Sequence, residues 1–273
     1  MIAIKSIIFA LASLGGLGLI FGVLLAYAGI RFALKIDPKL EAILEVLPQA
    51  NCGACGFVSC YNFAEALVKG EASVDSCVQG GQEVARKIAQ ILDVEVGFKE
   101  PMVAKILCYH KGQSRTKFIY YGLATCRAAV LVFGGDKACR YSCLGIGSCI
   151  EACPFGAINL VKGKIEIDED ICTGCGTCVK ACPTGVIKLV PKGRAAYILC
   201  NSKDKGKVVR KFCEHGCIGC NVCMKACEAE AIIVEDNLAK IDYDKCNDCG
   251  VCAEKCPTKA IEVKDSVPIL SGR

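Results

Sequence analysis

Cys172-Thr173-Gly174-Cys175-Gly176-Thr177-Cys178-Val179-Lys180-Ala181-Cys182-Pro183 is the stretch on which the fold turns. Its C-x2-C-x2-C-x3-C spacing lets three thiolates of one tight loop converge on a [4Fe–4S] cube while the fourth reaches a neighbouring cube. The spacing recurs at Cys217, Cys220, Cys223, Cys227 and at Cys246, Cys249, Cys252, Cys256. There are 24 cysteines in 273 residues. That density would fit a disulfide scaffold in a short secreted chain, but disulfide frameworks do not repeat this spacing. Three such blocks also leave little room for zinc, and ligating thiolates call for a reducing compartment.

The block upstream departs from the rule. It reads Cys143-x5-Cys149-x3-Cys153, with Ile146 where a second cysteine would stand. Aligned on their cysteines, Cys143, Cys149 and Cys153 match Cys217, Cys223 and Cys227. Cys139 and Cys213 each stand four residues ahead of the block, and Cys126 and Cys200 thirteen residues further upstream. The equal offsets read as a duplication and make Cys139 the replacement ligand for the position lost at Ile146. One cluster is then held by Cys139, Cys143, Cys149 and Cys182, and its partner by Cys172, Cys175, Cys178 and Cys153. The second repeat gives Cys217, Cys220, Cys223 with Cys256, and Cys246, Cys249, Cys252 with Cys227; the fourth cysteine crosses over each time. Cys108, Cys126, Cys200 and Cys213 remain. They form a sixth cluster bridging the repeats, or they are buried apolar thiols. His215, between Cys213 and Cys217, reads as a hydrogen-bond donor to a ligand sulfur.

Another quartet lies nearer the N-terminus: Cys52-x2-Cys55-x4-Cys60-x16-Cys77. Beside so many cluster motifs it reads as a further [4Fe–4S] site, with zinc the alternative. Helical patterns surround it at 37–48, 61–69 and 82–92. Ahead of these, residues 6–30 carry no charge. As a helix they would span about 37 Å, against a hydrocarbon core of about 30 Å. Lys5 and Ala26-Tyr27-Ala28 resemble a secretory signal, but the apolar run is too long for one. Arg31, Lys35 and Lys39 behind it, against Lys5 in front, favour a cytoplasmic C-terminal side. Gly18 and Gly22 form a G-x-x-x-G suited to packing on another membrane helix, or reflect ordinary tolerance of glycine there.

The formal charge of +5 counts cysteines as neutral thiols. Thiolate ligation of six oxidised clusters, at about +2 per core, moves the balance to roughly −7, so it gives no argument for nucleic acid. Lys203, Lys205, Lys207, Arg210 and Lys211 are a local basic run, either a solvated loop or a docking patch for an acidic electron carrier. No phosphate-cradling loop, flavin motif or acid–base pair stands out, so no hydride-transfer site is expected on this chain.

The expected fold is α+β. It comprises a transmembrane anchor (1–34), a four-cysteine [4Fe–4S] domain (35–95), a connecting region with candidate ligands (96–136) and a first dicluster ferredoxin-like module (137–192). A basic connector (193–212), a second dicluster module (213–265) and a tail (266–273) follow. Strand pairs flank turns at 162–164 and 236–237, so each cluster loop is expected to lead through a short helix into a hairpin.

An apolar N-terminal helix, the Cys52/Cys55/Cys60/Cys77 motif and the blocks from Cys139 to Cys256, in that order, resemble the B subunit of the Rnf complex over nearly the full length. The second ferredoxin module resembles the longer versions of that family. The resemblance implies a subunit of a membrane complex that oxidises reduced ferredoxin, reduces NAD and moves sodium ions or protons. It implies soluble ferredoxin as donor, other redox subunits as partners, contact with lipid through 6–30, and Fe–S domains on the cytoplasmic side of the cell membrane. The competing readings are a relay subunit of a hydrogenase- or quinone-linked enzyme, and a redox sensor.

Overall fold

The computed structural model describes residues 2–31, 37–95 and 100–264. The expected tail at 266–273 and the flanking Lys35 lie outside them. The first helix, α1 (Ile2–Arg31), contains the stretch Ser13–Arg31, which is long and apolar enough to cross a membrane and has no residue buried inside the protein. Leu14, Leu25 and Ile30 are among its exposed side chains. A continuous apolar surface of this kind is stable in lipid and costly in water.

Three helices form the next unit: α2 (Pro38–Val46), α3 (Cys60–Val68) and α4 (Gly81–Leu92). Asp37 caps α2 by accepting from the Lys39 amide at 2.9 Å, with Pro38 in the first turn, where its missing N–H costs nothing. Ser59 caps α3 through the Asn62 amide at 3.2 Å. Leu40, Ile43, Leu47, Phe63, Leu67 and Ile88 form the core, and Cys77 closes it on the side of the cysteine loop. Burying each large apolar side chain contributes about 2 kcal/mol.

The rest is built from two similar α+β modules. The first contains β1 (Met102–Ile106), α5 (Cys126–Leu131), α6 (Ser148–Glu151), β2 (Ile158–Val161), β3 (Lys164–Ile167), α7 (Thr177–Ala181) and β4 (Ile187–Pro191). The second contains β5 (Ala196–Ile198), α8 (Gly206–Val209), α9 (Val222–Lys225), β6 (Ile232–Glu235), β7 (Leu238–Ile241), α10 (Val251–Glu254) and β8 (Ile261–Val263). β2–β3 and β6–β7 are antiparallel hairpins. Their two-residue turns, Lys162-Gly163 and Asp236-Asn237, have positive φ at both positions, which matches the twist of the strands.

The expectation that every cluster loop leads into a hairpin is corrected here. Only the first loop of each module does so. The second leads through α7 or α10 into a single strand, β4 or β8, which pairs antiparallel with β1 or β5. The segments read as connectors thus supply the strands that close the modules. Equivalent bonds mark the symmetry: Leu107 N donates to Val186 O, and Leu199 N to Ala260 O, each at 2.8 Å.

The modules pack on each other through Val103, Val190, Tyr197 and Leu199, all buried. Glu169 of the first module accepts from both Lys105 and, at 2.5 Å, Lys264 at the far end of the second. Arg194 reaches the Cys246 carbonyl at 3.2 Å and Asp248 at 3.5 Å.

Gly174, within the opening motif, shows how tightly a cluster loop lies on these strands. Its φ is +72°, and a β-carbon there would come within 2.3 Å of the Met102 carbonyl oxygen on β1. Gly185 has a similar φ of +63° but open space around it. Gly174→Ala is expected to cost about 2 kcal/mol or more and Gly185→Ala about 1 kcal/mol, read from denaturant midpoints of the holo-protein.

Candidate metal centres

Four apolar cavities are each lined by four cysteines, and local backbone structure aims them. In the N-terminal unit Cys52, Cys55, Cys60 and Cys77 surround a cavity of about 330 Å³. The loop folds around it because Gly53 and Gly56 adopt φ of +69° and +91°, and because Asn51 accepts from the Cys60 amide at 2.8 Å. In the second module Cys217, Cys220, Cys223 and the crossing Cys256 line a cavity of about 360 Å³.

The other two cavities correct the sequence-based grouping. Cys126, not Cys139, joins Cys143, Cys149 and Cys182 around a cavity of about 350 Å³. Cys139 lies with Cys108, Cys200 and Cys213 around a cavity of about 450 Å³ between the modules. The strand pairing gives the reason. Cys108 and Cys200 follow the equivalent strands β1 and β5, so Cys108 is the structural counterpart of Cys200. Cys126 belongs to a longer segment between Cys108 and Cys139 that has no counterpart in the second module. It opens α5 under the Thr125 cap, and its amide is held by Ser148 Oγ at 2.8 Å, beside Cys149. The equal thirteen-residue offsets are therefore not a structural correspondence.

Cys178 has Cys172, Cys175 and Cys153 as electrostatic neighbours, and Cys252 has Cys246, Cys249 and Cys227. All 24 cysteines thus fall into six quartets, and none is left over. Five of the quartets are contiguous. Cys178 neighbours Cys149, Cys143 neighbours Cys108, Cys200 neighbours Cys217, and Cys252 neighbours Cys223.

Burial pushes the thiols up: Cys143, Cys178 and Cys200 to about 12, and Cys139, Cys149, Cys223 and Cys252 to about 11. Without metal they are neutral, and iron ligation must release their protons. Backbone amides already point at several sulfurs. Ala231 N lies 3.4 Å from Cys227 Sγ, Ala239 N 3.5 Å from Cys217 Sγ, and Ala260 N 3.3 Å from Cys256 Sγ.

The donor sets fit iron–sulfur cubes. Among the described residues no three Cys, His, Asp or Glu side chains are drawn together as for a single metal ion. Four sulfurs on one zinc, each at about 2.3 Å, would sit within about 4 Å of one another. A cube bonds each thiolate to a different iron and so spreads the sulfurs around a cavity.

His110 was missed in the sequence, although Cys108-Tyr109-His110 places it two residues from a candidate ligand. Its Nε2 lies 3.7 Å from Cys213 Sγ. His215, expected in that role, instead stacks on Tyr109 with ring centroids 3.8 Å apart, and its Nδ1 is buried without a partner.

Family models match along the same stretches. A 4Fe-4S dicluster domain matches residues 142–186, a 4Fe-4S single cluster domain 165–211, and 4Fe-4S binding domains 214–230 and 239–262. A model for an Fe-S cluster matches residues 47–79. The B subunit of the proton-translocating ferredoxin:NAD(+) oxidoreductase complex of Clostridium ljungdahlii is 45% identical over 245 residues, covering 89% of this chain and 86% of its own. The Na(+)-translocating counterpart of Acetobacterium woodii is 42% identical, covering 89% and 74%. The chain belongs to the family of Rnf B subunits. Not every Rnf B subunit resembles the whole of it: that of Serratia proteamaculans is 36% identical over 149 residues, or 55% of this chain. Cys108, Cys126, Cys139 and Cys213 lie outside all five family-model matches, so their grouping rests on the fold.

Proposed function

We propose that this chain is the membrane-held electron relay of an ion-translocating ferredoxin:NAD oxidoreductase complex, with six [4Fe–4S] clusters in the six quartets above. Reduced ferredoxin is the donor, and other redox subunits of the complex take the electrons onward. The observation that carries this reading is the unbroken row of five quartets, continuous across the boundary between modules. The clusters supply storage and transfer of single electrons at potentials set by hydrogen bonding and exposure. The protein supplies 24 thiolates, apolar walls and aimed amides. α1 lies in the bilayer, and Arg31 and Lys39 behind it favour the cytoplasmic side for everything C-terminal.

The test is anaerobic purification from membranes followed by assay. Co-purification with flavin-bearing membrane subunits and ferredoxin-dependent NAD reduction are expected. Hydrogen evolution without NAD reduction would place the chain in a different oxidoreductase.

The central quartet gives a finer prediction. A donor to a ligand sulfur stabilises the reduced, more negative cluster. His110→Ala is therefore expected to move the midpoint of one EPR signal to lower potential while the iron content stays constant. A shift spread over all signals would argue for a general loosening of the fold.

A further inference from the structure

The basic run does not float free as a solvated loop. It is fastened to the loop that carries the most exposed ligand of its module's first quartet. Gly206, at the start of α8, lies so close to Ile218 that a β-carbon would come within 2.5 Å of its carbonyl oxygen. Asn237 Nδ2 donates to the Lys203 carbonyl at 3.2 Å, and Gly219 packs on the backbone of the same Asn237. The loop pinned in this way continues into Cys220, which is exposed, whereas Cys217 and Cys223 of its quartet are buried.

The chemistry of this face is specific. Lys203, Lys205, Lys207, Arg210 and Lys211 are all exposed, and Lys225 on α9 adds a sixth cation. Lys203 meets Asp236 at 3.4 Å. Among the described residues Lys205, Lys207, Arg210 and Lys211 have no carboxylate at ion-pair distance; half-buried Asp204 lies inside the run and exposed Glu214 just beyond it. Val208, Val222 and Met224 are exposed apolar side chains in the same two short helices. Exposed apolar side chains beside an excess of cations over acids are the composition of a transient docking surface. The quartet with the other exposed cysteine, Cys249, is flanked by Asp244, Lys245, Asp248, Glu254 and Lys255, a mixed set with no excess of positive charge.

We propose that the face formed by Lys205, Lys207, Arg210, Lys211 and Lys225 with Val208, Val222 and Met224 docks the acidic face of ferredoxin against Cys220. This rests on the relay reading above and adds where the donor sits. Opposite charge raises the association rate and is screened by salt, and the apolar side chains set the register.

The test uses the full-length, cluster-loaded chain under anaerobic conditions, with oxidised ferredoxin as the binding probe and reduced ferredoxin in stopped flow. The variant is Lys205→Glu/Lys207→Glu/Lys211→Glu. The control carries the same charge change on the first module, Lys162→Glu/Lys164→Glu/Lys188→Glu. In the variant the expected result is a tenfold or greater loss of affinity and of second-order reduction rate at low salt, with a flattened salt dependence. Iron content and reduction by a small chemical reductant should stay unchanged, and the control should keep most of its affinity. Equal losses in variant and control would overturn the proposal, because net charge alone would then be responsible. Unchanged binding and salt dependence in the variant, with ferredoxin still reducing the chain, would place the docking face elsewhere and leave the relay reading intact. A wild-type chain that neither binds ferredoxin nor is reduced by it would overturn both.

Discussion

The triple variant Cys108→Ala/Cys139→Ala/Cys213→Ala is expected to lose about four irons, with the remaining EPR signals keeping their midpoints. Three of the four thiols around the central cavity are gone in that chain, and one thiolate does not hold a cube. The set Cys108→Ala/Cys126→Ala/Cys213→Ala is expected to do more damage. It takes two thiols from the central cavity and one from the cavity of Cys143, Cys149 and Cys182. Two clusters are then compromised instead of one. The grouping suggested by the equal offsets in the sequence predicts the reverse order. Iron, acid-labile sulfide and EPR on both variants decide between them without reference to activity. Changes at separate sites should add, and changes at one site should not.

The same Cys108/Cys139/Cys213 variant is expected to part the two modules electronically. Cys108 neighbours Cys143 of the first module, and Cys200 neighbours Cys217 of the second, so the central quartet is where the row crosses between them. Whichever module ferredoxin reduces first, the other should stay oxidised over times at which the wild type equilibrates. Ferredoxin-dependent NAD reduction by the whole complex should fall by orders of magnitude. The fold should survive, because the contact through Val103, Val190 and Tyr197 and the Glu169 pairings lie outside that cavity. Rapid-freeze EPR measures the first effect. If the distant module were still reduced at the wild-type rate, the central quartet would have no part in the path.

What could be read from the sequence was what is local. The ferredoxin spacings put three ligands within one loop, so Cys172, Cys175 and Cys178 name their own site. The hairpins showed as strand-like runs on either side of turns at 162–164 and 236–237. α2 and α3 showed as helical patterns over 37–48 and 61–69. The central quartet could not be seen in this way, because Cys108, Cys139, Cys200 and Cys213 come from four segments and have no shared spacing. They meet only because β1 pairs with β4 and β5 with β8, pairings between strands far apart in the chain that no local pattern specifies. The longer segment before Cys139 then moved the repeat out of register and gave Cys126 a false counterpart in Cys200. His110 was passed over for a similar reason: its sulfur partner, Cys213, is 103 residues away.

The central claim is that every cysteine is an iron ligand and that the resulting clusters form a continuous relay. An anaerobic redox titration followed by EPR, with iron, sulfide and zinc counted on the same purified sample, tests it most directly. The account predicts about 24 irons and as many sulfides per chain, with magnetic coupling between neighbouring clusters as they are reduced. About 20 irons would leave one quartet without a cluster and break the set of six. A colourless chain holding zinc, or with its thiols joined as disulfides, would contradict the account outright.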